Sequence, residues 1–304
     1  MAKTPLETIG ILAPGEMGSA LADVFRQNGC RVVTSVEKRS DRTKQIAELA
    51  QIELLPSLQE VVRQSSILIS TTPPQCAVEL AQEVTEMASD DGKLYIDANS
   101  IAPRTTQHIQ GLVNSAGMTM VDMAIRGLAG KLVERGAIYL SGEDVQRVVP
   151  LLRPIETENL GAEVGSASLL KMLMGGLSKG IATLVMELGV GADRAGILDR
   201  FLQGLGRYYP DVLSAMDSVL PTYPLHAGRR AHELEEVTAC LADCGIESQV
   251  VAGGRQLLRS CAQTNLEKSS STLKTAPVQE IIRALSHQSS FLSTSTGQHF
   301  VDSI

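Results

Sequence analysis

Between a short apolar run at 9–12 and an amphipathic run at 19–28 the chain reads Ile9-Gly10-Ile11-Leu12-Ala13-Pro14-Gly15-Glu16-Met17-Gly18. The chemistry open to such a turn is anion binding. A strand that turns tightly into a helix aims backbone N–H groups and the helix dipole at a pyrophosphate. Gly15 lets the backbone approach the phosphates, and Gly18 lets the helix pack closely on the strand. The usual first glycine is replaced by Ala13, which requires an ordinary φ, and Pro14 stiffens the turn further. In this strand–turn–helix context, 13–18 is the expected nucleotide-binding turn.

The end of the second strand carries conflicting signals for the ribose. Glu37 lies nineteen residues after Gly18, near the spacing of an acid that binds a ribose 2′-hydroxyl. Lys38-Arg39-Ser40 and Arg42 follow at once. A guanidinium with a hydroxyl suits a 2′-phosphate. A solvated charged turn would look the same. The balance favours NADP, with Arg39 and Ser40 as its contacts and NAD as the other choice. No Ser-His-Asp arrangement, His-rich metal motif or P-loop lysine competes, so no metal site is expected.

Alternation of short apolar runs with longer amphipathic ones must position these residues. Strands are expected at 31–36, 66–71, 94–98, 119–123 and 136–141, and helices at 19–28, 42–50, 77–88 and 103–116. Pro73-Pro74 stops the strand before it. Such alternation implies βαβ units, hence an α/β Rossmann domain with a doubly wound parallel sheet over 1–163. Past Gly161 the pattern turns helical, at 166–188, 195–205, 211–220, 226–243 and 250–262, hence an all-α domain over 164–304. The stretch 166–188 is long enough to span a membrane, but Lys171, Lys179 and Glu187 interrupt it on different faces. A buried helix joining the two domains fits better, with Gly176 and Gly180 sharing a face for close backbone approach. Polar segments at 269–271 and 293–296 read as loop or tail.

Composition narrows the function classes. A chain of 304 residues can bury a core without a disulfide or metal staple. With 27 Lys plus Arg against 34 Asp plus Glu, its formal charge is −7, which argues against nucleic acid as a partner. Five Tyr, four Phe and no Trp leave little for a base-stacking platform. Five scattered Cys, at 30, 76, 240, 244 and 261, form no CxxC pair, which fits a reducing, cytoplasmic setting. Residues 1–8 lack the apolar core of a signal peptide, so export is not expected.

Four segments in order carry a resemblance. They are the 10–18 turn, Ser70-Thr71-Thr72-Pro73-Pro74, Asp97-Ala98-Asn99-Ser100-Ile101-Ala102-Pro103, and Gly165-Ser166-Ala167-Ser168-Leu169-Leu170-Lys171. The chain resembles the β-hydroxyacid dehydrogenase superfamily, which includes 3-hydroxyisobutyrate and 6-phosphogluconate dehydrogenases. Its second half, notably 171–180 and 229–236, resembles a branch with a phosphogluconate-dehydrogenase-type C-terminal domain of unknown function. The resemblance implies that Thr72, Pro73, Pro74 and Asn99 border the cofactor and that Asn99 and Ser100 bind substrate. An Asx-type cap before Pro103 is the structural reading of Asn99, and both can hold. Asp122 and Gly127 match a further segment of the superfamily, where Arg126 and Leu128 replace a serine and a glycine. Arg126 either contacts substrate bidentately or points to solvent.

The resemblance also makes Lys171 the acid–base group, exchanging the hydroxyl proton as hydride moves to or from the same carbon. That needs a lowered pKa, expected from burial and from the like charge of Lys179. A snorkelling lysine is the structural alternative. Gly175 stands where relatives carry an asparagine, so space is gained near the substrate, and Lys179 becomes a second candidate contact. His226, Arg229, Arg230 and His232 read either as a self-paired surface helix with Glu233, Glu235 and Glu236 or as an anion contact. The expected function is hydride transfer between NADP and a small, anionic 3-hydroxy acid or its oxo form, with decarboxylation where the product is a β-keto acid. Reduction of C=N bonds and non-catalytic NADP sensing are the alternatives. The resemblance further implies a homodimer.

Overall fold

The computed structural model describes residues 7–37, 39–88, 92–264, 266, 273–288 and 291–292. Lys38 and the polar segments expected at 269–271 and 293–296 lie outside them. The strands are β1 (Thr8–Ile11), β2 (Arg31–Thr34), β3 (Glu53–Leu54), β4 (Ile67–Ser70), β5 (Leu94–Asp97), β6 (Thr119–Arg126), β7 (Ala137–Ser141) and β8 (Glu156–Asn159). The helices up to the long one are α1 (Glu16–Gln27), α2 (Asp41–Leu49), α3 (Leu58–Gln64), α4 (Ala77–Met87), α5 (Pro103–Ser115), α6 (Leu132–Arg135) and α7 (Val145–Val148). Then come α8 (Ser166–Arg194), α9 (Leu198–Tyr208), α10 (Pro210–Val219), α11 (Ala227–Asp243), α12 (Val250–Ala262) and α13 (Val278–Ser286). Two compact units result, Met1–Met172 and Leu173–Ile304. Their division falls inside α8, past the expected boundary at 163/164.

The first unit is an eight-stranded sheet in the order β3-β2-β1-β4-β5-β6-β7-β8, parallel except between β6 and β7. Its order reverses direction about β1 and β4, as in doubly wound folds. The central strands are apolar without alternation because both sheet faces are covered. Ile67 and Ile69 of β4 join Leu21 and Phe25 of α1 on one face. Leu68 joins Val61 of α3, Leu80 of α4 and Ile109 of α5 on the other. The short β3 and the polar β8 escape the sequence pattern because an edge strand needs no apolar alternation. The second unit is helical throughout its described residues. Val185, Leu234, Leu258, Ile282 and Leu285 are among its buried core.

Two expectations about α8 change. The helix runs on to Arg194, and only 28% of its most apolar 18-residue window is buried. Leu177 (58% exposed), Leu184 (55%) and Leu188 (51%) stand in the open, so α8 is not a buried connector within one chain. Among the described residues it is also the helix long and apolar enough to cross a membrane. Gly176 does allow close packing, since a Cβ there would lie 2.9 Å from Val237 Cγ1 of α11, whereas nothing lies near Gly180.

Candidate active site

The nucleotide turn forms as the spacing requires, with α1 starting at Glu16 rather than at 19. Gly15 is the N-cap, no side chain caps the helix, and space is open where a Cβ of Gly15 would stand. Its first-turn N–H groups therefore suit phosphate oxygens. A Cβ on Gly18 would sit 2.7 Å from both Ala13 O and Thr71 Oγ1, so only glycine permits this helix–strand approach. Thr71 Oγ1 donates to Ala13 O at 2.7 Å, which ties the end of β4 to the turn. Pro14 is buried, and Met17 packs on the sheet core. The uncapped helix start and the open space at Gly15 fit a nucleotide phosphate.

Arg39 reaches the turn, donating from Nη2 to Leu12 O at 3.3 Å. Ser40 is the N-cap of α2, with its Oγ accepting from Thr43 N at 3.3 Å. Arg42 pairs instead with Glu16 at 2.7 Å, in the open. Glu37 is exposed, and its N–H is turned to Ser35 Oγ at 3.3 Å.

Strand pairing, parallel from β4 to β6 and antiparallel between β6 and β7, assembles a polar row across four strands. Ser70 is in register with Asp97, Asp97 with Asp122, and Asp122 with Ser141. All four are at most 1% exposed. Asp97 Oδ1 accepts from Asn99 N at 2.8 Å, and its Oδ2 has no hydrogen bond. Burial pushes this carboxyl up to about 7. Asn99 Nδ2 donates to Ser70 Oγ at 2.9 Å and leaves a buried, unpartnered Oδ1. It does not cap α5: the N-cap is Ala102, without a side-chain bond. Asp122 accepts from Ser168 N at 2.9 Å, Gly165 N at 3.1 Å and Ser168 Oγ at 2.7 Å. Burial raises its pKa too, against these donors.

Lys171, three residues into α8 beyond Ser168, donates from Nζ to Ser100 Oγ at 2.8 Å. Burial lowers its pKa, while Asp122 and then Asp97 act the other way. Lys179, expected as a like-charge neighbour, is instead paired with Glu233, and the charges acting on Lys171 are carboxylates. Ser100 is exposed, so the amine meets solvent-accessible space just beyond the buried polar row. The arrangement can accept or donate a proton at Nζ next to an oxygen held by Ser100. Thr72 is buried, with Pro73 and Pro74 exposed at the start of a 3₁₀ turn. Arg126 is exposed at the end of β6, and Gly127 follows with a φ of +130°.

In the helical unit, Lys179 Nζ bonds Glu233 Oε2 at 3.0 Å and Gly175 O at 3.3 Å. A Cβ at 175 would lie 3.3 Å from that amine, so the ammonium fills the space Gly175 leaves. Arg229 also pairs with Glu233, as a self-paired helix face requires. Arg230 departs from that pattern, stacking 3.8 Å over the Tyr223 ring and donating to Thr222 Oγ1 at 2.7 Å. All five cysteines are free.

The Asp97–Asp122 row and the contacts of Ser141 and Ser168 were not foreseen as parts of a site. The available signal was an acid closing the apolar run of β5 and another within that of β6.

A phosphate-binding turn at the head of a doubly wound sheet defines a dinucleotide-binding domain. Residues 8–160 match the NAD binding domain of 6-phosphogluconate dehydrogenase, and 192–261 match a domain of unknown function, DUF1932. The chain belongs to the 6-phosphogluconate dehydrogenase-like superfamily, in the branch with the DUF1932 C-terminal domain. It is 28% identical to an uncharacterized 28.5 kDa protein of Methanothermus fervidus over 236 residues, 75% of this chain and 88% of that one. A conserved protein of unknown function, described as similar in structure to 3-hydroxyacid dehydrogenases, is 27% identical with a TM-score of 0.74 over 88% of this chain and 100% of that one. The 3-hydroxyisobutyrate dehydrogenase of Mycobacterium tuberculosis, solved with L-serine, shares the fold. Its TM-score is 0.73 at 17% identity, over 92% of this chain and 99% of that one.

Proposed function

We propose that this chain is an NADP-dependent oxidoreductase that interconverts a small, anionic 3-hydroxy acid and its oxo form, with Lys171 as the proton-transferring group. The observation that carries the reading is the Lys171 amine, depressed by burial and bonded to Ser100 at 2.8 Å. When bound, the nicotinamide accepts or supplies the hydride. The protein's part is proton transfer and orientation. In oxidation, neutral Lys171 Nζ takes the hydroxyl proton as the carbinol C–H bond breaks; in reduction, the ammonium returns it to the carbonyl oxygen. Ser100 Oγ orients the substrate oxygen, and the Asn99 amide oxygen can accept from a substrate hydroxyl. The 13–18 turn and Arg39 hold the phosphates, with Arg39 and the Ser40 hydroxyl selecting a 2′-phosphate. Where the oxidised product is a β-keto acid, its carbonyl takes up the electron pair of the breaking C–C bond and CO2 can leave.

The test is a cofactor-oxidation screen with NADPH and NADH against oxo acids, aldehydes and cyclic imines, run on wild type and Arg39→Ala. Turnover is expected with oxo acids and NADPH. Loss of one charge-assisted contact in Arg39→Ala should raise the KM for NADPH roughly tenfold or more, with little change for NADH. Equal losses for both cofactors reject the phosphate contact. Turnover of imines alone replaces alcohol chemistry by C=N reduction, and binding without turnover leaves a sensor.

The homodimer is proposed on α8 itself. Leu173, Leu177, Leu184 and Leu188 are exposed at helical spacing, and one apolar stripe of this length buries itself by pairing. Light scattering should give twice the chain mass, and Leu177→Glu with Leu184→Glu should give the single-chain mass. A wild-type monomer removes the proposal.

A further inference from the structure

The start of α8 is held by buried side chains of the sheet, chiefly one carboxyl. Asp122, on β6, receives Gly165 N–H and Ser168 N–H on Oδ2 and the Ser168 hydroxyl on Oδ1. Ser141, in register with it on β7, accepts from Ala167 N–H at 3.2 Å. The first turn of an α-helix leaves N–H groups without intrahelical partners, and these are normally met by a cap from the preceding residue. Here the partners come from the sheet, more than twenty residues away in sequence. Gly165 starts the turn into α8 at a φ of +102°, which disfavours any residue with a Cβ. One turn past this anchor, Lys171 reaches Ser100.

We propose that Asp122 is a positioning residue: it clamps the first turn of α8 to the sheet and thereby fixes the Lys171 amine at Ser100. The clamp is stiff because its members are buried, and a hydrogen bond away from water is electrostatically stronger than one in it. It also sets the amine's electrostatic surroundings. The carboxylates that act on Lys171 are Asp122 on β6 and Asp97 on β5, and Asp122 is the larger influence. One group thus fixes the place of the amine and opposes the effect of burial on its charge. Its effect on turnover rests on the acid–base reading of Lys171; its effect on the helix start does not.

The experiment compares full-length Asp122→Asn and Ser168→Ala with wild type. Hydrogen exchange of the 164–172 amides reads the clamp. The pH dependence of Lys171 acylation, followed by peptide mass spectrometry, reads the amine, and kcat reads the reaction. Asp122→Asn should speed exchange at 165–168 on the order of tenfold or more, as one to two net hydrogen bonds are lost. It should also shift the acylation midpoint to lower pH and lower kcat more than it changes the KM for NADPH. Ser168→Ala keeps the charge, so exchange should rise while the midpoint stays near wild type. Unchanged exchange in both variants overturns the clamp, and if Asp122→Asn does not fold, exchange in Ser168→Ala decides alone. Faster exchange and a moved midpoint with unaltered turnover would keep the clamp and reject the catalytic reading of Lys171. Loss of activity in Lys171→Ala with no effect of Asp122→Asn on exchange or midpoint would do the reverse.

Discussion

Replacing Lys171 by alanine should lower kcat by 10² to 10⁴, the range typical of a lost general acid–base group. NADPH affinity should stay within about twofold of wild type, because the amine's hydrogen bond goes to Ser100 and the 13–18 turn is built by other residues. Lys171→Arg should be as inactive as the alanine variant, since a guanidinium keeps its proton at any accessible pH. Added primary amines should restore part of the alanine variant's rate and none of the arginine variant's. In wild type, oxidation needs the neutral amine and reduction the ammonium. Oxidation should therefore rise with pH through the depressed Lys171 pKa, and reduction should fall through the same limb. Steady-state rates in both directions with cofactor titrations check all of this. An alanine variant that turns over like wild type ends the assignment.

The second large effect concerns stability. Asp97 is 1% exposed, one of its oxygens has no hydrogen bond, and its pKa stands at about 7 against 3.8 in an unfolded chain. The folded state therefore holds this proton more tightly than the unfolded state does. The associated stability is fully present below pH ~4 and is lost as pH rises through about 7. Asp97→Asn reproduces the neutral form at every pH. Oδ1 of the amide can still accept from Asn99 N–H, so the fold should survive. The variant's stability advantage over wild type should widen by roughly 2–3 kcal/mol between pH 5 and pH 7.5. Urea unfolding at both pH values measures it. An equal difference at the two pH values would mean that the Asp97 carboxyl titrates in the ordinary range.

Much of the first unit was legible in the chain. Apolar runs stopped by Pro73-Pro74 and Pro103 marked β4 and the start of α5, because proline's missing N–H and fixed φ act locally. The 13–18 turn was legible because a strand, a tight turn and a helix follow within ten residues. Helix α12 was read to the residue, since its amphipathic spacing is complete within itself. What escaped needed partners far along the chain. β8 is four exposed or half-exposed residues that become a strand only by pairing with β7. Asn99 looked like a helix cap, but tertiary packing turned its amide to Ser70 instead.

The same division separates the lysines. From the sequence, Lys179 was a neighbouring charge for Lys171 and a further substrate contact. In the structure Glu233 of α11 holds it, and carboxylates from two other strands surround the influence on Lys171. The sequence by itself determined the alternating elements, the nucleotide turn and the lysine that opens the long helix, since each depends on periodicity and spacing over a few residues. Only the tertiary structure decided that Ser70, Asp97, Asp122 and Ser141 form one buried row, and that this row meets the start of α8. Register between strands is fixed by packing across the whole sheet, and no local pattern encodes which acid will end beside which amine.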